Sequence, residues 1–172
     1  MTRTHIFVCI MCLMLTACSY QYQRGNTLYP NAKYARANAA SGLRYLHKGD
    51  TNSALAKLQT ALQQSPRDPV VIDALAFYYE KTGEVNKADA YYVYALSTDL
   101  EQGTANKNYG AFLCRNGRYQ ESLFYLRQAA NIPNYPNAKS VQYDINYCSQ
   151  KMRHALGEQS TWAYYMARPT NY

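Results

Sequence analysis

No stretch of this 172-residue chain is apolar over the roughly twenty residues that a membrane-crossing helix needs. The apolar run at residues 6–15 is too short, which excludes a spanning helix there and leaves a secretory h-region behind Arg3 and His5. Histidine is scarce: His5, His47 and His154 stand isolated, and no cysteine–histidine pair has the spacing of a zinc site. Neither a glycine-rich phosphate loop nor a nucleophile elbow occurs. The sequence therefore offers no catalytic residue, no metal site, no cofactor and no small-molecule substrate, and it does not read as an enzyme. Acidic residues are fewer than basic ones, giving a formal charge of +7, yet the basic residues are scattered singly along the chain. A nucleic-acid surface would need them gathered in a patch or stripe. What the chain has in quantity is apolar residues, 48%, and 19 tyrosines. That excludes a disordered chain and suits thin helical layers, where a ring fills interhelix space and its hydroxyl stays at the rim.

Behind the h-region comes Leu15-Thr16-Ala17-Cys18. This resembles the lipobox of bacterial lipoproteins, which implies that residues 1–17 are a lipoprotein signal peptide and that Cys18 carries the lipid. Two or more acyl chains anchor a protein stably where one holds it only marginally. Ser19, in place of an inner-membrane retention aspartate, implies an outer-membrane address facing the periplasm. Cys9 and Cys12 leave with the signal. Residues 18–33 are polar, contain Gly25 and Pro30, show no helical period, and read as a tether.

From residue 34 onward the chain repeats. On a 34-residue period Gly42, Ala76 and Gly110 share a column, as do Tyr45, Tyr79 and Leu113, and then Gly49, Gly83 and Gly117. The following half agrees: Ala54, Ala88 and Ser122; Leu58, Tyr92 and Leu126; Ala61, Ala95 and Ala129. Small residues fall where helices must approach closely, bulky ones beside them, and glycine where a helix has to stop and turn. This is the tetratricopeptide pattern, although the early tryptophan column holds Asn38, Ile72 and Asn106. The expected fold is all-α, a tetratricopeptide-repeat superhelix of about three full repeats and a divergent fourth. Its units are 34–68, 69–102 and 103–136, the last ending in a loop with Pro133 and Pro136, and then 137–172. In that last unit a helix over residues 138–155 is expected, then a break at Gly157 and a short capping helix before Pro169.

Cys114 and Cys148 are the cysteines left in the repeats, one period apart and so in equal phase. Neighbouring helices sit about 8–10 Å apart, whereas a disulfide needs Cα atoms within about 7 Å. Either a bridge helped by close approach at Gly110 or two separately buried thiols fits the spacing. The lipobox, the tether, the repeats, NYGAFLC at 108–114, the proline loop at 131–137 and NYC at 146–148 together resemble the PilF/PilW family of type IV pilus biogenesis lipoproteins. That resemblance implies a pilotin: an outer-membrane lipoprotein whose partner is the pilus secretin and which promotes secretin localisation and multimerisation. It also implies a disulfide between Cys114 and Cys148.

A curved array presents the first helix of each repeat on its concave face. There the pattern puts Leu43, Leu46 and His47, with Arg36 and Ala39; then Asp73, Phe77, Glu80 and Lys81; then Lys107, Ala111 and Arg115. Leu43, Leu46 and Phe77 make an apolar strip where water is expected, which points to a groove for a partner segment. A second functional reading is a general periplasmic scaffold, for example an adaptor for cell-wall enzymes.

Overall fold

The computed structural model describes residues 31–98 and 103–166, with side chains as far as residue 157. The signal peptide, Cys18 and the tether up to residue 30 lie outside the described residues. Among the described residues there are seven helices and no strand: α1 Ala32–His47, α2 Thr51–Gln64, α3 Pro69–Lys81, α4 Val85–Thr98, α5 Gly103–Arg115, α6 Tyr119–Ala130 and α7 Ala138–Met166.

The three period glycines build one turn three times. Gly49, Gly83 and Gly117 have φ of 81°, 81° and 77°, the left-handed region that glycine enters without a Cβ clash. In each turn the amide after the glycine reaches back to the carbonyl of the Tyr/Leu column: Asp50 N to Tyr45 O at 3.0 Å, Glu84 N to Tyr79 O at 2.9 Å, Arg118 N to Leu113 O at 2.9 Å. That bond satisfies a carbonyl the helix end would otherwise leave open. The next helix starts at once. At α2 the Asp50 carboxylate accepts the Ser53 amide at 3.0 Å, and this bonding to Ser53 holds its pKa below the ordinary carboxylate value.

Among the described residues two compact units result, divided between Tyr78 and Tyr79. In the first, α1 and α2 form a hairpin around Ala35, Ala39, Ala54, Leu58 and Ala61, all buried. A Cβ on Gly42 would lie 2.7 Å from Leu58 Cγ, so the small-residue column is enforced by backbone approach. Asp68 is fully buried and offsets that cost with partners: Arg36 Nε donates to it at 2.8 Å and the Val70 amide at 2.9 Å, capping α3.

The second unit repeats the arrangement. A Cβ on Gly110 would lie 2.7 Å from Leu126 Cγ, the same relation one level on. Tyr92, Tyr109, Phe112 and Tyr125 pack as a chain of rings with centroids 4.7–6.2 Å apart. The buried Tyr109 hydroxyl donates to Asp89 at 3.1 Å; burial first, then the Asp89 charge, pushes its pKa up to about 12. Arg118 bridges Asp89 at 2.7 Å and Glu121 at 2.5 Å; the Glu121 bonds raise the Arg118 pKa, and Arg118 lowers that of Glu121. The 131–137 loop folds back so that Tyr135 presses on the start of α5, where Gly103 leaves room for its ring.

Helices paired about identical turns, with glycine seats for bulky residues of the next helix, make this a tetratricopeptide-repeat fold. The last unit departs from expectation: α7 runs unbroken for 29 residues, and no capping helix separates at Gly157. Gly157 carries no positive φ and has open space where a Cβ would stand. One helical glycine costs about 1 kcal/mol, too little to stop a helix whose turn chemistry is missing.

A candidate docking cleft between α5 and α7

Helices α5 and α7 are joined by the Cys114–Cys148 disulfide, with Cα atoms 5.7 Å apart. That lies within the Cα separation a disulfide needs. Cys148 is fully buried, and the buried Ser122 hydroxyl of α6 donates to its Sγ at 3.1 Å. Leu123 and Leu126 pack around the bridge, with Tyr119, Ile145 and Met152 at its border.

Beside the bridge lies a half-open cleft of about 350 Å³, lined by Ala111, Cys114, Arg115, Tyr143, Asp144 and Tyr147. Its floor is the Ala111 methyl and the disulfide; its wall is two tyrosines one helical turn apart. Tyr143 is 69% exposed and Tyr147 42%, and their rings stack at 14° with centroids 6.5 Å apart. Lys151 Nζ sits 5.7 Å over the Tyr147 ring. At one edge Lys107 pairs with Asp144 at 3.5 Å. At the other, Arg115 grips Glu80 with two bonds of 2.5 and 2.9 Å, while Tyr92 donates to the same carboxylate at 2.9 Å. Burial opposes the Arg115 charge, but its bonds to Glu80 prevail and hold its pKa above the ordinary value. With two ion pairs, an apolar floor and a flat aromatic wall, the cleft is equipped for adhesion to a polymer segment.

Of the residues read from the sequence as a partner face, Lys107 and Ala111 belong to this cleft or its rim, together with Arg115. Leu43, Leu46, His47 and Phe77 lie in the first unit. Leu43, Leu46 and Phe77 are half-buried, His47 is exposed, and the His47 and Phe77 rings stand 6.5 Å apart. Lys81 is exposed at the end of α3. Ala39 does not belong to a wet face: it is 1% exposed in the α1–α2 core. Arg36 is engaged with Asp68. Sequence reasoning missed Tyr143, Asp144 and Tyr147. The available signal was the spacing of four that places Lys139, Tyr143, Tyr147 and Lys151 in one row along α7.

No protein-family model matches the chain. An uncharacterised protein of Haemophilus influenzae is 28% identical over 149 residues, 85% of this chain and 78% of that protein. The type IV pilus assembly protein PilF of Pseudomonas aeruginosa is 32% identical over 112 residues, 65% of this chain and 44% of PilF. Among solved structures, Pseudomonas PilF matches with a TM-score of 0.64 over 71% of this chain and 55% of that one. PilW, a type IV pilus biogenesis factor, matches at 27% identity and a TM-score of 0.64, over 70% and 55%. The chain thus spans about half the length of the pilus proteins it matches. The TPR2B domain of yeast Sti1, at 20% identity and a TM-score of 0.59, shares the fold alone. By sequence and by fold, the chain is homologous to PilF and similar to PilW.

Proposed function

We propose that this protein is an outer-membrane lipoprotein, anchored through Cys18 and facing the periplasm, that acts as a pilotin for the type IV pilus secretin. It promotes the secretin's arrival at the outer membrane and its assembly into multimers by docking a secretin segment. The observation that carries the reading is the open cleft of Ala111, Arg115, Tyr143 and Tyr147 on a chain homologous to a pilus assembly protein. Exposed aromatic rings at a semi-enclosed site attract a partner, since covering them removes apolar area from water while their hydroxyls stay at the rim. The apolar strip of the first unit, with Leu43, Leu46 and Phe77, is a second surface available to the same partner.

The test is a gel for heat-resistant secretin multimers from cells with and without the gene, alongside membrane fractionation of the protein. A pilotin predicts loss of multimers and of surface pili on deletion, and recovery of a Cys18→Ala variant outside the outer-membrane fraction. Multimers retained in the deletion strain, with cell-shape or division defects instead, would overturn the pilotin reading in favour of a cell-wall scaffold.

A further inference from the structure

Helix α7 carries an exposed aromatic face where the two repeats before it are closed. Tyr143 falls one period after Tyr109 and two after Leu75, which are 3% and 1% exposed, yet it is 69% exposed itself. Tyr109 is covered by the rings of Tyr92 in α4 and Tyr125 in α6. No helix follows α7 among the described residues. Nor does the surface invite a helix from elsewhere. Asp144 stands in the column of Gly42 and Gly110, where a Cβ alone would lie 2.7 Å from the leucine of the covering helix. A carboxylate there, paired with Lys107, keeps out a helix seated as α2 and α6 are. An extended strand needs no such close approach.

Charge narrows the occupant further. Both carboxylates at the cleft are spent inward: Glu80 accepts three bonds and is 11% exposed in its side chain, and Asp144 is 22% exposed against Lys107. The cations face out. The Arg115 side chain is 44% exposed, and Lys139 and Lys151 stand exposed at either end of the Tyr143–Tyr147 pair on the same row. Twelve helical residues separate these lysines, about 18 Å, which about six residues of polyproline II span at 3.1 Å each. The 6.5 Å between the tyrosine rings equals roughly two residues of that rise.

We propose that the α5–α7 cleft receives an extended, acidic, proline-bearing segment of the partner polypeptide. Its prolines lie against the Tyr143 and Tyr147 rings and its carboxylates reach Arg115, Lys139 and Lys151. Proline suits the slot because a chain already held in polyproline II loses little entropy on docking against aromatic rings. This inference rests on the reading of the cleft as a protein-docking site, and it names the chemistry of the docked segment.

The test is fluorescence anisotropy of the purified chain with a labelled peptide about a dozen residues long, alternating glutamate and proline. Its lysine–proline counterpart and a chitin oligosaccharide serve as rival ligands. Expected are binding of the acidic peptide at least about tenfold tighter than the basic one, and weakening of about fivefold or more on raising salt to about 0.5 M. Tyr143→Ala and Arg115→Gln should each weaken binding about tenfold, while Tyr143→Phe keeps it. Tyr143 is largely exposed, so its variants fold. Equal binding of the basic peptide, preference for the oligosaccharide, or indifference to Tyr143→Ala would overturn the proposal. Secretin multimers assayed in cells carrying Tyr143→Ala separate the two claims. Multimers lost without peptide binding by the wild type would sink the acidic-segment inference alone. Peptide bound by the wild type with multimers unaffected by the variant would sink the placing of the secretin at this cleft alone.

Discussion

The same chemical change, glycine to alanine, is predicted to act with opposite signs at Gly117 and Gly157. At Gly117 the backbone φ is 77° and an added Cβ meets nothing within 4 Å, so the effect is purely conformational. Holding an L-residue in the left-handed region costs about 1–2 kcal/mol. Alanine's narrower unfolded ensemble returns about 0.4–1 kcal/mol, so Gly117→Ala should destabilise by about 1 kcal/mol net. Gly157 lies inside α7, with no positive φ and equally open space. There alanine gains helix propensity and should stabilise α7 by about 1 kcal/mol. Gly49 and Gly83 share the φ and the open surroundings of Gly117, so alanine at either should match it in sign and size. Urea titration read by circular dichroism tests the turn glycines through the shift in midpoint at constant slope. Amide hydrogen exchange along α7 tests Gly157, since the distal part of a long helix can open by itself. Stabilisation by Gly117→Ala, or weaker protection in Gly157→Ala, would refute the repeat-turn account.

Three further outcomes follow from named groups. The disulfide closes a loop with sequence separation 34, and the chain-entropy model gives about 4 kcal/mol for that length. Cys114→Ser/Cys148→Ser should therefore lose about 2–4 kcal/mol in urea titration, and reductant should destabilise the wild type but not the double variant. Tyr109, with a pKa of about 12 against 10.0 for the free phenol, stays protonated in the fold where the unfolded chain ionises. Proton binding is then greater in the folded state, so stability should fall as pH rises from 10 toward 12. Tyr109→Phe should flatten that slope, and an unchanged slope would count against it. Leu43→Glu and Phe77→Glu, at half-buried surface positions, should leave circular dichroism intact and reduce secretin multimers in cells; multimers at wild-type level would remove the first-unit strip from the docking surface.

Repeat geometry was legible because it is written in residues whose reason is local. Gly49, Gly83 and Gly117 mark turns by conformation, and Gly42 and Gly110 mark helix contacts by the size of their neighbours Leu58 and Leu126. The relation between Cys114 and Cys148 was legible as equal phase, while its outcome depended on how closely two particular helices approach. That distance is set by packing around Ser122, Leu123 and Leu126. The cleft was half legible. Lys107 and Ala111 could be placed from the helix they occupy, but Tyr147 reads as a packing residue in the column of Tyr79 and Leu113. Leu113 is buried and Tyr79 stacks on Tyr91 of α4 at 5.3 Å, whereas Tyr147 is 42% exposed. Periodicity gives the phase of a side chain; what lies opposite is a tertiary fact. Ala39 failed for the converse reason, its small size letting the α1–α2 hairpin close over it.

The proposed docking of secretin at the α5–α7 cleft is tested most directly by placing a photo-crosslinking amino acid at Tyr143 in living cells. The position is open enough to accept the probe without disturbing the core. The account predicts an ultraviolet-dependent adduct containing the secretin subunit, lost when Arg115→Glu reverses the charge opposite. Secretin multimers forming normally with no secretin adduct from position 143 or 147 would contradict it.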